Sequence, residues 1–152
     1  MKRQMLKTLP LSVITLTIVF AATAVSARAQ SRPRVKAEIP FEFVVGDRTM
    51  AAGEYWVSSS IQDGSAVTIR NAKTADSTIR LSNSMEPRRN DDRARLVFHR
   101  YGRTYFLAEI WPGADVTGRQ LLKSKSERAV QRELARVGAP SYERVELVAG
   151  AR

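Results

Sequence analysis

From Val35 onward every second residue is apolar: Val35, Ala37, Ile39, Phe41, Phe43 and Val45, with Arg34, Lys36, Glu38 and Glu42 between them. Successive side chains on a strand point to opposite faces, so this period of two specifies a half-buried β-strand and excludes an amphipathic helix. Pro40 has no amide proton and falls on the polar parity. It puts the strand at an edge or bends it there. Turn residues then recur about every ten positions: Gly46-Asp47, Ala52-Gly53, Asp63-Gly64. Between them Glu54 to Ser59, Ala66 to Arg70 and Ser77 to Ser82 read as short strands, the last with Ile79 and Leu81 inward. Short strands at this spacing form an antiparallel meander, the pattern of a sandwich or barrel.

The strongest hairpin is Arg93 to Arg100 with Thr104 to Trp111, around Tyr101-Gly102-Arg103. A three-residue loop puts Phe98 opposite Phe106, Arg95 opposite Glu109 and His99 opposite Tyr105, matching charge with charge and apolar with apolar. Gly102 at a second loop position favours instead a two-residue Tyr101-Gly102 turn and a register one residue away. Both faces of the hairpin are apolar, so it is expected to be central and covered on each side. Pro112-Gly113 ends it, and Ala114 to Arg119 reads as a loop. Ser124 and Glu127 form a capping box for a helix over 124–137, stopped by Gly138 and Pro140. Val130, Leu134 and Val137 form its docking stripe, and Arg128, Arg132 and Arg136 a basic ridge beside it. A last strand, Tyr142 to Val148, returns to the sheet through Val145 and Leu147.

The first 29 residues do not belong to this pattern. Lys2, Arg3 and Lys7 precede an uncharged stretch from Leu11 to Val25, and Ala27-Arg28-Ala29 is an A-x-A cleavage box ahead of Gln30. That is an export signal, residues 1–29, leaving 30–152 as one β-rich domain. Its apolar run is shorter than the ~20 residues that cross a membrane, and an uncleaved anchor would place the same domain outside the membrane. The formal charge of +10 falls to +6 once the signal is removed. The chain has no cysteine, which excludes disulfides, zinc fingers and thiol catalysis. Periplasmic or secreted location follows.

The blocks Ile39-Pro-Phe-Glu-Phe-Val-Val-Gly46, Ala52-Gly-Glu-Tyr55, Leu96-Val-Phe-His-Arg-Tyr-Gly102, Tyr105-Phe-Leu and Ile110-Trp111 resemble a family of short exported bacterial proteins of unknown function. The pattern is IPFxFxVG, PAGxY, then LVFHRYG and YFLxxIW, over most of Val35 to about Arg136. Ala52 stands where the family usually has proline, which affects the stiffness of one turn. The resemblance implies a secreted β-rich fold and supplies no catalytic residues.

His99 is the single histidine, so no multi-histidine metal centre can form. No G-x-S-x-G elbow, glycine-rich phosphate loop, dinucleotide fingerprint or metalloprotease motif occurs, and a strand histidine reads as a hydrogen-bonding or stacking residue. Asp91-Asp92 is surrounded by Arg88, Arg89, Arg93 and Arg95. A calcium site needs six to eight oxygens, so arginine neutralisation is the better account. Glu38 and Glu42 are about 13 Å apart along one strand at ~3.3 Å per residue, too far for a glycosidase pair.

Basicity remains. Arg88, Arg89, Arg93, Arg95, Arg100 and Arg103 fall in one segment, Arg128, Arg132 and Arg136 in another. With His99 these are the candidate binding residues; no catalytic residue, metal ligand or cofactor is assigned. They suit an anionic envelope component, a lipid headgroup or a polysaccharide, against the alternative of a solvated arginine-rich face. Nucleic acid ranks last for an exported chain. The expectation is an all-β antiparallel sandwich or squashed barrel of about seven to eight strands with one C-terminal amphipathic helix. Its function is a non-enzymatic binding or structural module of the envelope. The alternatives are a small secreted hydrolase using His99 and a transmembrane barrel, the latter opposed by Arg70, Arg80, Arg93 and Arg95.

Overall fold

A computed structural model describes residues 34–61, 64–86, 93–113, 116–138 and 142–151. The cleavage box at Ala27 and Ala29, and Arg88, Arg89 and Asp91-Asp92, lie outside them. The described chain is all-β apart from one helix. Its strands are β1 (Arg34–Ile39), β2 (Phe43–Val45), β3 (Arg48–Met50), β4 (Gly53–Ser59), β5 (Ala66–Asn71) and β6 (Ser77–Met85). They continue with β7 (Arg95–Tyr101), β8 (Thr104–Trp111) and β9 (Gly118–Leu121), then helix α1 (Lys125–Arg136), β10 (Glu143–Val148) and β11 (Gly150–Ala151).

The strands form one continuous path, β10-β7-β8-β9-β6-β5-β4-β1-β11, not closed into a barrel. Two halves of that path face each other over a common core. The first is β11, β1, β4, β5 and the start of β6; the second is the end of β6 with β9, β8, β7 and β10. β6 serves both, pairing with β5 up to Leu81 and with β9 from Ser82. The alternating stretch after Val35 is two strands, broken at Pro40, where the missing amide donor ends β1. β2 then joins β3 through a Gly46-Asp47 turn and touches β8 by a parallel bridge at Val44 and Phe106. That single bridge makes the sheet mixed.

The core takes Val35, Ala37 and Ile39 from β1, Tyr55 and Val57 from β4, Val67 and Ile69 from β5, and Leu96, Phe98, Leu107 and Ile110 from the β7–β8 hairpin. Its aromatic centre draws on the sequence blocks quoted above. Phe41 stacks on Tyr105 at 4.0 Å and meets Phe98 edge-on at 5.2 Å, while Phe43 meets Tyr55 and Phe98 edge-on at 5.1 and 5.7 Å. Edge-to-face geometry suits the ring quadrupoles. Val145 and Leu147 of β10 pack against this core, as their parity required.

Three expectations are corrected. Ile79 and Leu81 are not inward: each is 63 % exposed, and the buried parity of β6 at that end is the one carrying Ser82. The hairpin pairs Tyr101 with Thr104, Arg100 with Tyr105, His99 with Phe106 and Phe98 with Leu107, so the loop is Gly102-Arg103. Gly102 sits at φ +60°, the first position of a type II′ turn, whose twist matches the strands. A bulge at Val97/Phe98 then shifts the register, so Arg95 lies opposite Trp111 and Val97 opposite Glu109. The loop expected over 114–119 runs into a strand at its end, β9.

Candidate functional site

The β7 residues that point away from the core, Arg95, Val97, His99 and Tyr101, are all buried. A strand with both faces covered is what the sequence of this hairpin required. The cover differs along its length.

At the turn end it is helix α1. Ser124 is the N-cap, its Oγ accepting the Glu127 N–H at 3.0 Å. The tip of the β2–β3 hairpin adds a second cap. Asp47 Oδ1 accepts from the Ser126 backbone N–H at 3.1 Å and from its hydroxyl at 3.0 Å. Those hydrogen bonds, the backbone one foremost, hold the Asp47 carboxyl below its ordinary range.

Half of the capping box is diverted. Glu127 turns down onto the sheet and is the buried residue of the helix. Its Oε1 accepts from His99 Nδ1 at 2.9 Å and from the Tyr101 hydroxyl at 3.2 Å. A carboxylate accepts only, so the His99 proton is placed on Nδ1. Burial, followed by the neighbouring Glu127 charge, pushes the Tyr101 hydroxyl well above the usual tyrosine range. Tyr142 closes the group, its ring 4.0 Å from the His99 ring, with the Lys123 ammonium 5.6 Å from the Tyr142 centroid. The expected neighbour Tyr105 lies instead on Phe41. Val130 and Leu134 are half-buried and Val137 is 72 % exposed, so the helix is held mainly by its first turn rather than by the apolar stripe.

At the other end the cover is a charged network. Arg95 lies 5.0 Å from the Trp111 ring centroid and 3.5 Å from Glu146. Trp111 Nε1 donates to Glu109 Oε2 at 2.8 Å, and Arg144 bridges Glu109 at 3.0 Å and Glu146 at 3.1 Å. The Trp111 ring lies on Gly118, where a Cβ would stand 2.6 Å from it. The pairing of Arg95 with Glu109 is therefore replaced by Arg95 with Trp111 and Glu146, and Glu109 with Arg144.

The candidate arginines among the described residues do not form one patch. Arg95 is buried in the network, and Arg100 is held by Glu143 at 3.1 Å and by the Gly102 carbonyl at 2.9 Å. Arg103 is exposed in the hairpin turn, and Arg93 is exposed near the opposite end of β7. Arg128, Arg132 and Arg136 are exposed along α1. Sequence reasoning missed Tyr142, Arg144 and Glu146, placed Glu109 only opposite Arg95, and placed Glu127 only in the cap. The alternation of Arg144 and Glu146 with Val145 and Leu147 was the one signal that β10 carries charge on its outward face. Glu38 and Glu42, set on one strand by the sequence, are separated by the break at Pro40. No helix among the described residues is long and apolar enough to cross a membrane. Comparison with protein-family models, with curated proteins and with solved structures finds no match to this chain.

Proposed function

We propose that the chain is an exported, non-enzymatic binding or structural module of the bacterial cell envelope that engages an anionic partner through arginines. The observation that carries this reading is the outer side of α1. Arg128, Arg132 and Arg136 are exposed there at four-residue spacing, with no carboxylate within ion-pair distance among the described residues. Like charges at that spacing repel, and an anion relieves the repulsion. The export signal over 1–29 and the resemblance to short exported bacterial proteins agree with an envelope location.

His99 argues in the same direction. Its ring is buried and stacked on Tyr142, which supports a structural role over that of a hydrolytic base facing a substrate cleft. A stable His99→Gln protein that loses a defined hydrolytic activity would overturn the non-enzymatic reading.

The main test uses the full-length protein, expressed and purified as the cell processes it, with N-terminal sequencing expected to find a mature start near Gln30. It should be retained on heparin or on vesicles containing an anionic lipid at about 50 mM salt, where charges act over more than ~10 Å. Replacing Arg128, Arg132 and Arg136 together by Gln should lower the salt needed for elution. No retention by the parent protein at that salt ends the proposal.

A further inference from the structure

The outward side of the first half of the sheet carries a second arrangement, separate from α1. Cross-strand pairing sets Lys36 beside Trp56 and Trp56 beside Arg70 in one row, and Arg34, Ser58 and Thr68 in the next. Between the rows runs a groove of about 410 Å³ whose walls include Arg34, Trp56, Ser58, Thr68, Arg70 and Asn71. That volume is in the range of small-ligand clefts. Two acids stand at the far end of this face: Glu54, which binds Lys36 at 2.8 Å, and the exposed Glu38 opposite it, while the Lys36 ammonium lies 5.5 Å from the Trp56 centroid. Arg34 and Arg70 are exposed and have no carboxylate within ion-pair distance among the described residues. They stand two strands apart and two residues out of step, about 12 Å between Cα atoms by strand spacing and rise. Two arginine side chains can close over Trp56 from that distance.

We infer that this groove binds an acidic saccharide, a pyranose chain bearing carboxylates. The half-buried indole offers a flat apolar surface to the C–H face of a sugar ring. The two guanidiniums offer paired donors matched to carboxylates, with the Ser58 hydroxyl placed between them for sugar hydroxyls. An anionic membrane surface is the competing occupant, because Ile79 and Leu81 are exposed on the same face. The observations favour the saccharide: the arginines flank an aromatic and hydroxyls within a groove, while Ile79 and Leu81 lie at its margin. The inference rests on the binding-module reading but sets a partner on a different face from α1.

The experiment titrates tetragalacturonate into the processed full-length protein and follows tryptophan fluorescence. The chain has two tryptophans, and Trp111 is buried, so Trp56 reports the groove. A saturable change is expected, absent with neutral maltotetraose. Arg34→Gln with Arg70→Gln should weaken it by about tenfold per guanidinium removed, with an unchanged melting temperature. Trp56→Phe should abolish the fluorescence change and keep weakened binding by calorimetry. Equal affinity in the Arg34, Arg70 double variant, with loss only on replacing Arg128, Arg132 and Arg136, overturns the groove and leaves the α1 reading intact. Binding of phosphatidylglycerol vesicles that requires Ile79 and Leu81, without tetragalacturonate binding, overturns it in favour of a membrane. No binding of tetragalacturonate by the parent protein overturns it outright, whatever heparin retention shows.

Discussion

On the first half of the sheet the outward side chains of β1, β4, β5 and β6, Ala66 excepted, stand wholly or partly in solvent, Lys36, Trp56, Arg70 and Ile79 among them. On the second half the outward side chains of β7, from Arg95 to Tyr101, are buried under α1 and the charged side chains of β10. Both faces begin from the same backbone geometry and both carry arginine and tryptophan. In the row Lys36-Trp56-Arg70 the Lys36 ammonium lies by the indole and binds Glu54, while Arg70 is exposed on the other side of the ring. In the pair Arg95-Trp111 the guanidinium lies over the indole and beside Glu146, and a ring that is half-buried on one face is buried on the other. Each face has a cation over an indole with a carboxylate beside it, Lys36-Trp56-Glu54 on one and Arg95-Trp111-Glu146 on the other. What separates them is the cover that α1 and β10 lay over the second face and that the first face lacks.

The largest break in this comparison is Trp111→Ala. It removes a buried ring that covers Gly118, lies under Arg95 and donates to Glu109. The expected cost is about 3–5 kcal/mol by chemical denaturation. Trp56→Ala on the open face should cost clearly less, and equal losses would deny the difference between the two faces.

Glu127→Ala comes next. It leaves His99 Nδ1–H and the Tyr101 hydroxyl buried without their acceptor. At about 1–2 kcal/mol for each of the two orphaned donors, a loss of about 2–4 kcal/mol is expected. Tyr101→Phe in that background removes one orphan and should restore about 1 kcal/mol, whereas in the parent protein the same change destabilises. Opposite signs in the two backgrounds identify the buried network; equal signs would reject it.

These sites also mark how far the sequence was legible. The strands followed from the period of two, and the all-β class, the N-cap at Ser124 and the inward Val145 and Leu147 all held. The hairpin register did not follow, because the two-residue Gly102-Arg103 loop already displaces the pairing by one residue and a bulge then leaves Ala108 as an extra residue between Leu107 and Glu109, whereas side-chain matching assumes an unbroken ladder. Ile79 and Leu81 were assigned inward because apolar residues bury on average, yet the parity of β6 is set by the neighbours that it pairs with, and Thr68 and Ala66 face outward. His99 stood out in the sequence as the single histidine. Its partners come from 28 and 43 residues downstream, on elements whose packing no local pattern encodes.

A smaller effect is expected at Asp47, which caps α1 from another element. Its carboxyl is held below the ordinary value of 3.8, so the capping contribution is fully present above pH 3.8 and is lost as pH falls through the lower folded value. Unfolding midpoints of the parent and Asp47→Asn should therefore differ near neutral pH and converge below pH 3.8. A difference that stays constant or grows on acidification contradicts the cap.

The smallest effect is predicted where sequence reasoning expected a large one. Were Ile79 and Leu81 core residues, replacing either by Thr would orphan a hydroxyl in an apolar site and cost kilocalories. Exposed as they are, each substitution should change stability by no more than about 0.5 kcal/mol, and the pair should be additive within that margin. Thr also keeps the β-branched shape of Ile79 and the strand preference of β6. A loss above about 2 kcal/mol for the pair would mean that this face is covered in solution. If that loss depended on protein concentration, the cover would be a second copy of the chain. A neutral result leaves the first half of the sheet open, the condition that the groove beside Trp56 requires.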